Sequence, residues 1–379
     1  MKIIHSSDWH LGISLHGASL LEEQKNFAGF LINAVKELNI DAVMISGDIF
    51  DHSVSSAESI SLYNDTVTKL CGEIGIPVII SAGNHDGAAR LASCNRLLKK
   101  TGLYIFGKLS KKTSAVELGN VDIYALPYFN TDEVKALFPD DKISSYSDAM
   151  KCVLNSIRLN FKPGKKNILM CHCFISGSEL SESDRAAMVG GASAVPADIF
   201  EGFDYVAAGH LHKAQNRGFN IRYSGSPLKY SFSESSHKKS VTVLNISDEI
   251  NDEIKIEELG ITPLRELRVL KGTFDEILEI AGNDKQRDDY IKIEITDKYA
   301  GMEDAELFRS YYMNLLNISG KMNETEENQL TVEELYSLSP DSILEKFYKE
   351  VTGNDLSEEQ RNLFRQAAAA VENEERDRQ

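Results

Sequence analysis

Five apolar runs along this chain each lead into side chains that bind metal ions well, and this arrangement constrains the fold more than any other feature. The groups at the ends of these runs are Asp8-Trp9-His10, Gly47-Asp48-Ile49-Phe50-Asp51, Gly83-Asn84-His85-Asp86, His172, and Gly209-His210 with His212. A further polar stretch, Gly225-Ser226-Pro227, follows another apolar run. Ligands of an α/β sheet belong at the carboxyl ends of its strands, so the pattern predicts one site there.

The spacing between the runs predicts a mixed α/β fold. Helical periodicity over residues 20–38 and 57–74 separates the first three predicted strands, 2–6, 41–46 and 77–82. This βαβαβ order indicates a sheet with helices on both faces. The later predicted elements are strands at 103–106, 121–126, 168–172, 205–209, 221–224 and 241–246, and a helix near 147–160. We therefore predict a four-layer αββα sandwich, in which two β-rich halves pack together with helices outside.

The pattern changes near residue 260, which predicts further modules. Residues 1–260 form the predicted main domain, and 261–320 a small α+β domain. Its predicted elements are strands at 264–270 and 290–295 and helices at 274–281 and 303–315. A polar linker at 321–331 leads to a helical hairpin at 332–379, in which Ser357 to Gln360 fit a capping box. The apolar stripe of this hairpin packs on its own domain or docks on a partner's helices, and the linker before it favours docking.

Composition excludes a membrane-spanning protein and leaves the partner open. No apolar run reaches the roughly 18 residues that a transmembrane helix needs, and the N-terminus lacks a signal peptide, so we expect a cytoplasmic protein. Residues 1–248 carry a net charge of −1 and residues 249–379 carry −16, which together make the −17 of the chain. Bound divalent ions would add positive charge near the site, so the acidic balance neither supports nor excludes a nucleic-acid substrate.

Five cysteines are few and odd in number, which fits reduced thiols better than a disulfide framework. Cys171 and Cys173 flank His172, and an alternating strand directs both away from the face that His172 uses. They are interpreted as core thiols beside a metal-binding strand, with a Cys-x-Cys zinc site as the alternative.

The residue types at the strand ends fit hydrolysis of a phosphate ester by two metal ions. Such ions neutralise the phosphate, lower the pKa of a bridging water and need a carboxylate between them. Asp8 and His10 can reach one ion together, and Asp48 is the natural bridge. The other candidate ligands are Asn84, His172, His210 and His212. This mixture of imidazole and oxygen ligands suits Mn²⁺, Fe²⁺ or Zn²⁺ better than Ca²⁺.

The other polar residues near the motifs receive separate interpretations. His85 follows the ligand Asn84 and is expected to face the substrate, as a proton donor or as a stabiliser of charge on the phosphate. Asp51 is expected to hydrogen-bond His85, with Asp86 as a rival. His5 is interpreted as a core residue or as a residue that supports a ligand from behind. His52 is a loop residue that contacts a substrate phosphate in the alternative interpretation.

The basic residues in loops between strands are expected to be mostly solvated, with a few contacting substrate phosphates. They are Lys108, Lys111, Lys112, Lys162, Lys165, Lys166, Lys213, Arg217, Lys229, Lys238 and Lys239.

These motifs resemble the calcineurin-like metallophosphoesterase superfamily and, more closely, the SbcD-type nuclease subunits of bacterial SbcCD complexes. The stretches that carry the closer resemblance are Ser7 to Gly12, Leu15-His16-Gly17, Leu21 to Gln24, Gly47 to Asp51, Gly83 to Asp86, Gly209 to His212, Tyr223 to Leu228 and Phe347-Tyr348 through Gln360. The resemblance covers nearly the whole chain.

The resemblance implies an Mn²⁺-dependent nuclease that acts on double-stranded DNA ends and hairpins as exonuclease and endonuclease. It implies control by an SbcC-type coiled-coil ATPase bound through the C-terminal helices, and a homodimer within a heterotetramer. By motif, Asp8, His10, Asp48 and His212 hold one metal, Asp48, Asn84, His172 and His210 hold the other, and His85 is catalytic. The domain at 261–320 would then cap the site and select the DNA form.

One position departs from part of the family. Archaeal and eukaryotic relatives carry a second catalytic histidine where this chain has Asp51, and His52 lies one residue later. Asp51 instead matches the acidic residue of the wider superfamily that pairs with the histidine of the third motif.

Two other functions remain open from the residues alone. A phosphatase or cyclic-nucleotide phosphodiesterase would use the same scaffold and ligands, but the added module and hairpin argue against it. A non-catalytic scaffold that tethers a partner's coiled coil is the second alternative, and the intact ligand set argues against it.

Overall fold

A computed structural model of the chain describes residues 1–181, 184, 194–218, 220–321, 342, 344–345, 348–349 and 355–365. The chain divides into two compact units. The first is Met1–Val269 with Asp288–Tyr290, and the second is Leu270–Arg287 with Ile291–Gln379.

The helices and strands of the described residues follow the predicted order closely. The helices are α1 (Leu21–Glu37), α2 (Ala57–Val67), α3 (Ala88–Leu91), α4 (Asn95–Leu98), α5 (Thr131–Leu137), α6 (Tyr146–Arg158), α7 (Phe274–Asn283) and α8 (Met302–Tyr311). The strands are β1 (Lys2–Ser6), β2 (Ser14–Leu15), β3 (Ala18–Ser19), β4 (Ala42–Ser46), β5 (Val78–Ser81), β6 (Leu103–Phe106), β7 (Val116–Leu118), β8 (Val121–Ala125), β9 (Lys166–His172), β10 (Tyr205–Gly209), β11 (Gln215–Arg217), β12 (Ile221–Tyr223), β13 (Ser240–Asn245), β14 (Lys255–Gly260), β15 (Leu267–Gly272), β16 (Tyr290–Ile295) and β17 (Leu315–Ser319).

Two six-stranded sheets form the first unit. One has the order β14-β13-β1-β4-β5-β6 and the other β11-β12-β10-β9-β8-β7. Strands β1, β4, β5 and β6 run parallel, as do β8, β9, β10 and β12. Antiparallel pairing adds β13 and β14 on one side of the first sheet, and β7 and β11 at the two edges of the second. The carboxyl ends of the parallel strands in each sheet therefore gather at one edge.

Alternation along the strands buries both faces of these sheets. In β9, Ile168 and Met170 pack in a core shared with Ile3 and Met44 of the other sheet. Leu169 and Cys171, which alternate with them along the strand, pack in a second core that includes residues of α6. The two sheets thus pack face to face with a helix layer outside, and the predicted α/β class is confirmed.

Helix α6 shows why this outer layer forms. The Ser145 hydroxyl accepts a hydrogen bond from the Asp148 N–H, and the Asp148 carboxylate accepts one from the Ser145 N–H, which completes a capping box. Met150, Val153 and Leu154 follow at helical spacing and are buried in the outer core.

The second unit has its own small core. Ile277 of α7, Ile293 of β16 and Phe308 of α8 are fully buried together. Helix α7 begins at a capping box between Thr273 and Glu276. Strand β17 pairs in parallel with β16.

In the C-terminal half one predicted helix was too long and one strand was missed. The helix predicted for 303–315 ends at Tyr311, and Leu315 begins strand β17, because a short apolar run fits a helix and a strand equally well. Strand β14 was not predicted, since this mostly exposed edge strand carries charged residues where a buried strand would carry apolar ones.

The predicted linker at 321–331 lies outside the described residues except for Lys321, and so does most of the predicted hairpin at 332–379. Where the hairpin is described, the Gln360 N–H donates to the Ser357 hydroxyl and the Gln360 side chain accepts from the Ser357 N–H. This contact is the predicted capping box. The domain boundaries at 260, 320 and 331 stay a prediction.

Candidate metal centre

The backbone at the strand ends adopts an unusual conformation that turns polar side chains inward. Asp8, His10, Asp48 and His210 all have a positive φ, at 53°, 43°, 50° and 101°. Such conformations are costly for residues other than glycine and gather at functional sites, where surrounding contacts hold them. Here the Asp8 N–H donates to the Gly47 carbonyl and the His10 N–H to the Asp48 carbonyl. The first two motifs therefore hold each other in place.

Two glycines of the motifs are required by close packing around the site. A Cβ on Gly83 would lie 2.1 Å from Asp48 Oδ1, and one on Gly209 would lie 1.8 Å from the Ser46 carbonyl oxygen. Neither position has room for a side chain. The glycines before Asn84 and His210 thus let neighbouring loops approach closely enough for their ligands to meet.

Asp48 lies at the centre of the cluster. Its Oδ2 is 3.2 Å from His172 Nε2 and 3.7 Å from His10 Nε2, and its Oδ1 accepts the His85 N–H at 2.9 Å. Burial works to raise the pKa of Asp48, but the neighbouring His172 outweighs it, so the pKa lies below its ordinary value. Asp48 is therefore an anion held between two groups of histidines.

One group of ligand atoms surrounds Asn84. Its Oδ1 lies 3.0 Å from His172 Nε2 and 3.1 Å from His210 Nδ1. The His172 Nδ1–H donates to the Ser46 carbonyl at 2.9 Å, which fixes the ring and leaves Nε2 directed into the site. Burial lowers the pKa of His210 to about 3, so this imidazole is neutral and suited to ligation.

The second group contains His10 and His212, whose Nε2 atoms face each other at 3.3 Å. The His212 Nδ1–H donates to Glu234 Oε1 at 3.2 Å, so its Nε2 presents a lone pair to His10. The Asp8 carboxylate lies within 4.8 Å of both imidazoles and accepts the His210 N–H. Two ring nitrogens at this separation can share either a proton, as in a hydrogen bond, or a metal ion. These residues therefore fit a divalent metal ion.

Among the described residues, three overlapping sets of side chains can each hold an ion. They are Asp8 with His10 and His212, Asp8 with Asp48 and His172, and His10 with Asp51 and His85. The first set contains three of the ligands predicted for one ion. The second combines Asp48 and His172, which were predicted for the other ion, with Asp8. Asp8 belongs to both, so it shares the central position with Asp48, the predicted bridge.

A buried ion pair behind His212 was missed by sequence reasoning. Glu234 is fully buried, and its other oxygen accepts a hydrogen bond from the Lys239 ammonium at 2.6 Å. Lys239 also donates to the His212 carbonyl and the Ser226 hydroxyl, so the interpretation of Lys239 as a solvated loop lysine was wrong. No motif marks Glu234, and the Ser226 stretch gave the only sequence signal near this network.

His85 lies at the edge of the cluster, half-buried, with its ring held from behind. Its Nδ1–H donates to a carbonyl oxygen at 2.9 Å, which leaves Nε2 available to a substrate. That carbonyl belongs to Asp51, so the expected contact exists but uses the backbone. The Asp51 carboxylate instead lies 3.3 Å from His10 Nδ1 and 3.2 Å from His52 Nε2. Asp51 therefore holds the His85 ring through its backbone, while its carboxylate faces His10 and His52.

Asp86, the rival partner for His85, has a different contact set. Its buried carboxylate accepts the N–H groups of Ile49, Phe50 and Gly83 at 2.8–3.2 Å. It therefore ties the loop that carries Asp48 to the loop that carries Asn84.

His5, His52 and the two cysteines that flank His172 lie outside the cluster. His5 is fully buried with Nδ1 3.0 Å from the Tyr205 hydroxyl, and burial lowers its pKa to about 3, as a core residue requires. His52 has 80% of its side chain exposed. Cys171 and Cys173 are free thiols buried in the outer core, on the strand face opposite His172, as predicted.

Among the described residues, no helix combines the length and the apolar character that a bilayer crossing requires.

Comparison with known proteins agrees with the site. Residues 1–214 match the family model of the calcineurin-like phosphoesterases. Residues 263–352 match the SbcD C-terminal model, described as the Type 5 capsule protein repressor C-terminal domain. The chain is 34% identical over 362 residues to the SbcD subunit of the SbcCD nuclease of Staphylococcus epidermidis, which covers 95% of this chain and 96% of that protein.

Solved structures of low sequence identity also align with part of the chain. A dimetal phosphatase from Danio rerio is 10% identical with a TM-score of 0.42, over 69% of this chain and 96% of that one. GAP50 of Plasmodium is 14% identical with a TM-score of 0.40, over 69% and 89%. The two family models and the relative of high coverage show that the chain belongs to the calcineurin-like phosphoesterases and, within them, to the SbcD nuclease subunits of SbcCD complexes.

Proposed function

We propose that the chain is the nuclease subunit of a DNA-processing complex and hydrolyses phosphodiester bonds at double-stranded ends and hairpins, in repair, recombination and replication. The observation that carries the proposal is the convergence of four imidazoles on the buried carboxylates of Asp8 and Asp48. A metal-dependent phosphodiesterase needs this donor set, and the nuclease family to which the chain belongs supplies the class of substrate.

Two divalent ions would occupy the cluster. Asp8, His10, Asp48 and His212 would hold one, and Asp48, Asn84, His172 and His210 the other. When bound, the ions supply Lewis-acid polarisation of the phosphate and a nucleophile at neutral pH. The mixed imidazole and carboxylate donors favour Mn²⁺ over Ca²⁺ or Mg²⁺, whose preferred ligands are oxygens.

His85 would act on the substrate through its free Nε2. The Asp51 carbonyl holds the opposite ring nitrogen, and the His85 N–H bond to Asp48 fixes the backbone below it. The ring edge therefore faces outward at a fixed place beside the predicted ions. From there it would give a proton to the leaving oxygen or stabilise charge on the phosphate. The Asp51 carboxylate would act beside His10, and not through His85.

The experiment that tests this role compares two histidine variants. His85→Ala should bind both metal equivalents yet lose cleavage of double-stranded ends and hairpins in Mn²⁺. His52→Ala serves as the matched control, because its imidazole is exposed and should leave cleavage unchanged. Near-normal cleavage by His85→Ala would contradict the role, and a fall in the His52 variant would assign that residue to substrate contact.

A substrate panel tests the class of reaction. Wild-type protein should cleave DNA ends and hairpins with Mn²⁺, and more efficiently with its partner ATPase and ATP. Rapid turnover of a phosphoprotein or a cyclic nucleotide without cleavage of DNA would favour the phosphatase alternative.

The partner would be an SbcC-type coiled-coil ATPase bound through residues 332–379, within a heterotetramer built on a dimer of this chain in the cytoplasm. The predicted apolar stripe of this segment supports the proposal, and residues 261–320 would restrict access to the site. Deletion of 332–379 should abolish ATPase binding and leave basal Mn²⁺-dependent cleavage. Retained ATPase binding by the deletion variant would contradict the docking assignment.

A further inference from the structure

The segment that follows the His85 motif has a composition unlike the rest of the chain. Residues 87–115 contain seven Lys and Arg residues and no Asp or Glu, in a chain whose net charge is −17. The seven are Arg90, Arg96, Lys99, Lys100, Lys108, Lys111 and Lys112. All of them are exposed. A cationic surface of this kind attracts polyanions even on a protein that is acidic overall.

These seven cations also lack ionic partners within the described part of the chain. No carboxylate among the described residues lies within 4.0 Å of any of the seven side chains. Many cations elsewhere are neutralised, as Lys162 is by Glu117 and Lys213 by Glu179. Lys99 instead lies 5.8 Å from the ring centre of Tyr104. Their charge therefore remains available to a ligand.

The fold places this surface next to the metal centre. Helices α3 and α4 lie between β5, which leads into Asn84, and β6, which runs parallel to it. The Ala82 N–H donates to the Phe106 carbonyl, so both strands end together. Lys108, which follows the end of β6, therefore lies at the same edge of the sheet as the ligand Asn84 and the catalytic candidate His85.

A groove of about 460 Å³ lies on this surface, and its lining combines cations with aromatic rings and small side chains. Arg96, Lys99 and Lys108 provide the charge. The rings are those of Tyr104 and Phe106, which are partly buried and also pack against the core between the sheets. A Cβ on Gly107 would lie 2.2 Å from the Ala88 carbonyl oxygen, so strand and helix are packed without a side chain between them there. Proteins that bind single-stranded nucleic acid use this combination, in which cations follow the backbone and rings stack on bases.

We propose that this groove binds the phosphate backbone of a single DNA strand that extends from the metal centre. The inference rests on the proposed nuclease function and adds the path of one strand across α3, α4 and β6. Arg96, Lys99 and Lys108 contact successive phosphates, and these contacts hold the strand in register with the site.

Salt dependence of binding provides the test, because each phosphate contact releases counterions. The variant Arg96→Gln/Lys99→Gln/Lys108→Gln removes three charges. The control Lys36→Gln/Lys151→Gln/Lys255→Gln removes the same charge from exposed lysines on α1, α6 and β14. Binding of a phosphorothioate oligothymidine of about 20 nucleotides, which resists cleavage, is followed by fluorescence anisotropy. For each protein the logarithm of the affinity is plotted against the logarithm of salt concentration.

For the groove variant, the slope of log affinity against log salt should be smaller in magnitude by about 2, since each lost single-strand contact contributes about 0.7. The affinity advantage of wild type should then shrink about 20-fold between about 50 and about 200 mM salt, while the control keeps the wild-type slope. Equal slopes for the groove and control variants would overturn the proposal.

A second readout separates this proposal from the function on which it rests. Hydrolysis of bis-p-nitrophenyl phosphate in Mn²⁺ needs the metal centre and no groove, so both variants should match wild type. Loss of that activity in the groove variant would show a damaged site and overturn the separate role of the groove. If wild type hydrolyses the small diester but neither binds nor cleaves DNA, the proposed substrate is wrong.

Discussion

Substitution of Glu234 tests how the protein orients the ligand His212 before a metal ion binds. Its carboxylate accepts the His212 Nδ1–H on one oxygen and the Lys239 ammonium on the other. In Glu234→Gln, only the amide oxygen can face Lys239, because an ammonium has no acceptor. The amide NH₂ then faces His212 Nδ1, and the imidazole must carry its proton on Nε2, the atom directed at His10. In this variant His212 Nε2 is therefore a hydrogen-bond donor and can no longer bind a metal ion.

The expected losses of metal affinity and of folding free energy follow from the burial of this network. Loss of an outer partner of a ligating histidine weakens metal binding about 10- to 100-fold, or about 1.4–2.7 kcal/mol. Glu234 is fully buried and the Lys239 side chain is 7% exposed, so breaking their pair should also cost about 3–5 kcal/mol of folding free energy. The loss of metal affinity should fall on one of the two predicted ions.

Calorimetric titration with Mn²⁺ and thermal unfolding separate the two effects. The double variant Glu234→Gln/Lys239→Met removes the uncompensated buried charge and should recover most of the lost stability. Because no ammonium then holds the amide oxygen, that oxygen can accept the His212 Nδ1–H, and metal binding should recover as well. A folded Glu234→Gln protein that binds both equivalents within twofold of wild type would refute the reasoning.

Two further predictions concern the loops and the protons of the site. Asp86→Ala leaves three backbone N–H groups without their acceptor, so it should cost about 3 kcal/mol and lower the melting temperature by about 5–10 °C; a change below about 1 °C would contradict the tie between the two loops. Burial opposes the charged form of His172, but Asp48 outweighs it and raises the pKa to about 10. His172 therefore carries a proton at pH 7 that Mn²⁺ must expel, so its affinity should rise with pH. Calorimetry in buffers of different ionisation enthalpy should report release of about one proton from His172, and no release would contradict the assignment.

The elements that position the site were predictable because their signals are local. Alternation along β9 and the helical spacing of α1 each act within a few residues, so strand ends and ligands could be placed together. The alternation that places Cys171 on one face and His172 on the other follows from the same period.

The contacts behind the ligands were not predictable, because they join distant residues without a motif. Glu234 meets His212 across 22 residues that include two strands, and Lys239 was indistinguishable from a surface lysine. The hydrogen bond between Asp51 and His85 was expected, but the sequence could not show that it uses a backbone carbonyl, which any residue could supply. Sequence therefore predicted which side chains converge, and the structure was needed to show which groups orient them.

The central claim is that two metal ions, held through Asp48, perform the hydrolysis. Its most direct test follows DNA cleavage while chelator-treated protein is titrated with Mn²⁺. We expect cleavage to rise only as the second equivalent binds, and Asp48→Ala to lose metal binding and cleavage together. Full cleavage at one equivalent, or unchanged metal stoichiometry in Asp48→Ala, would contradict the account.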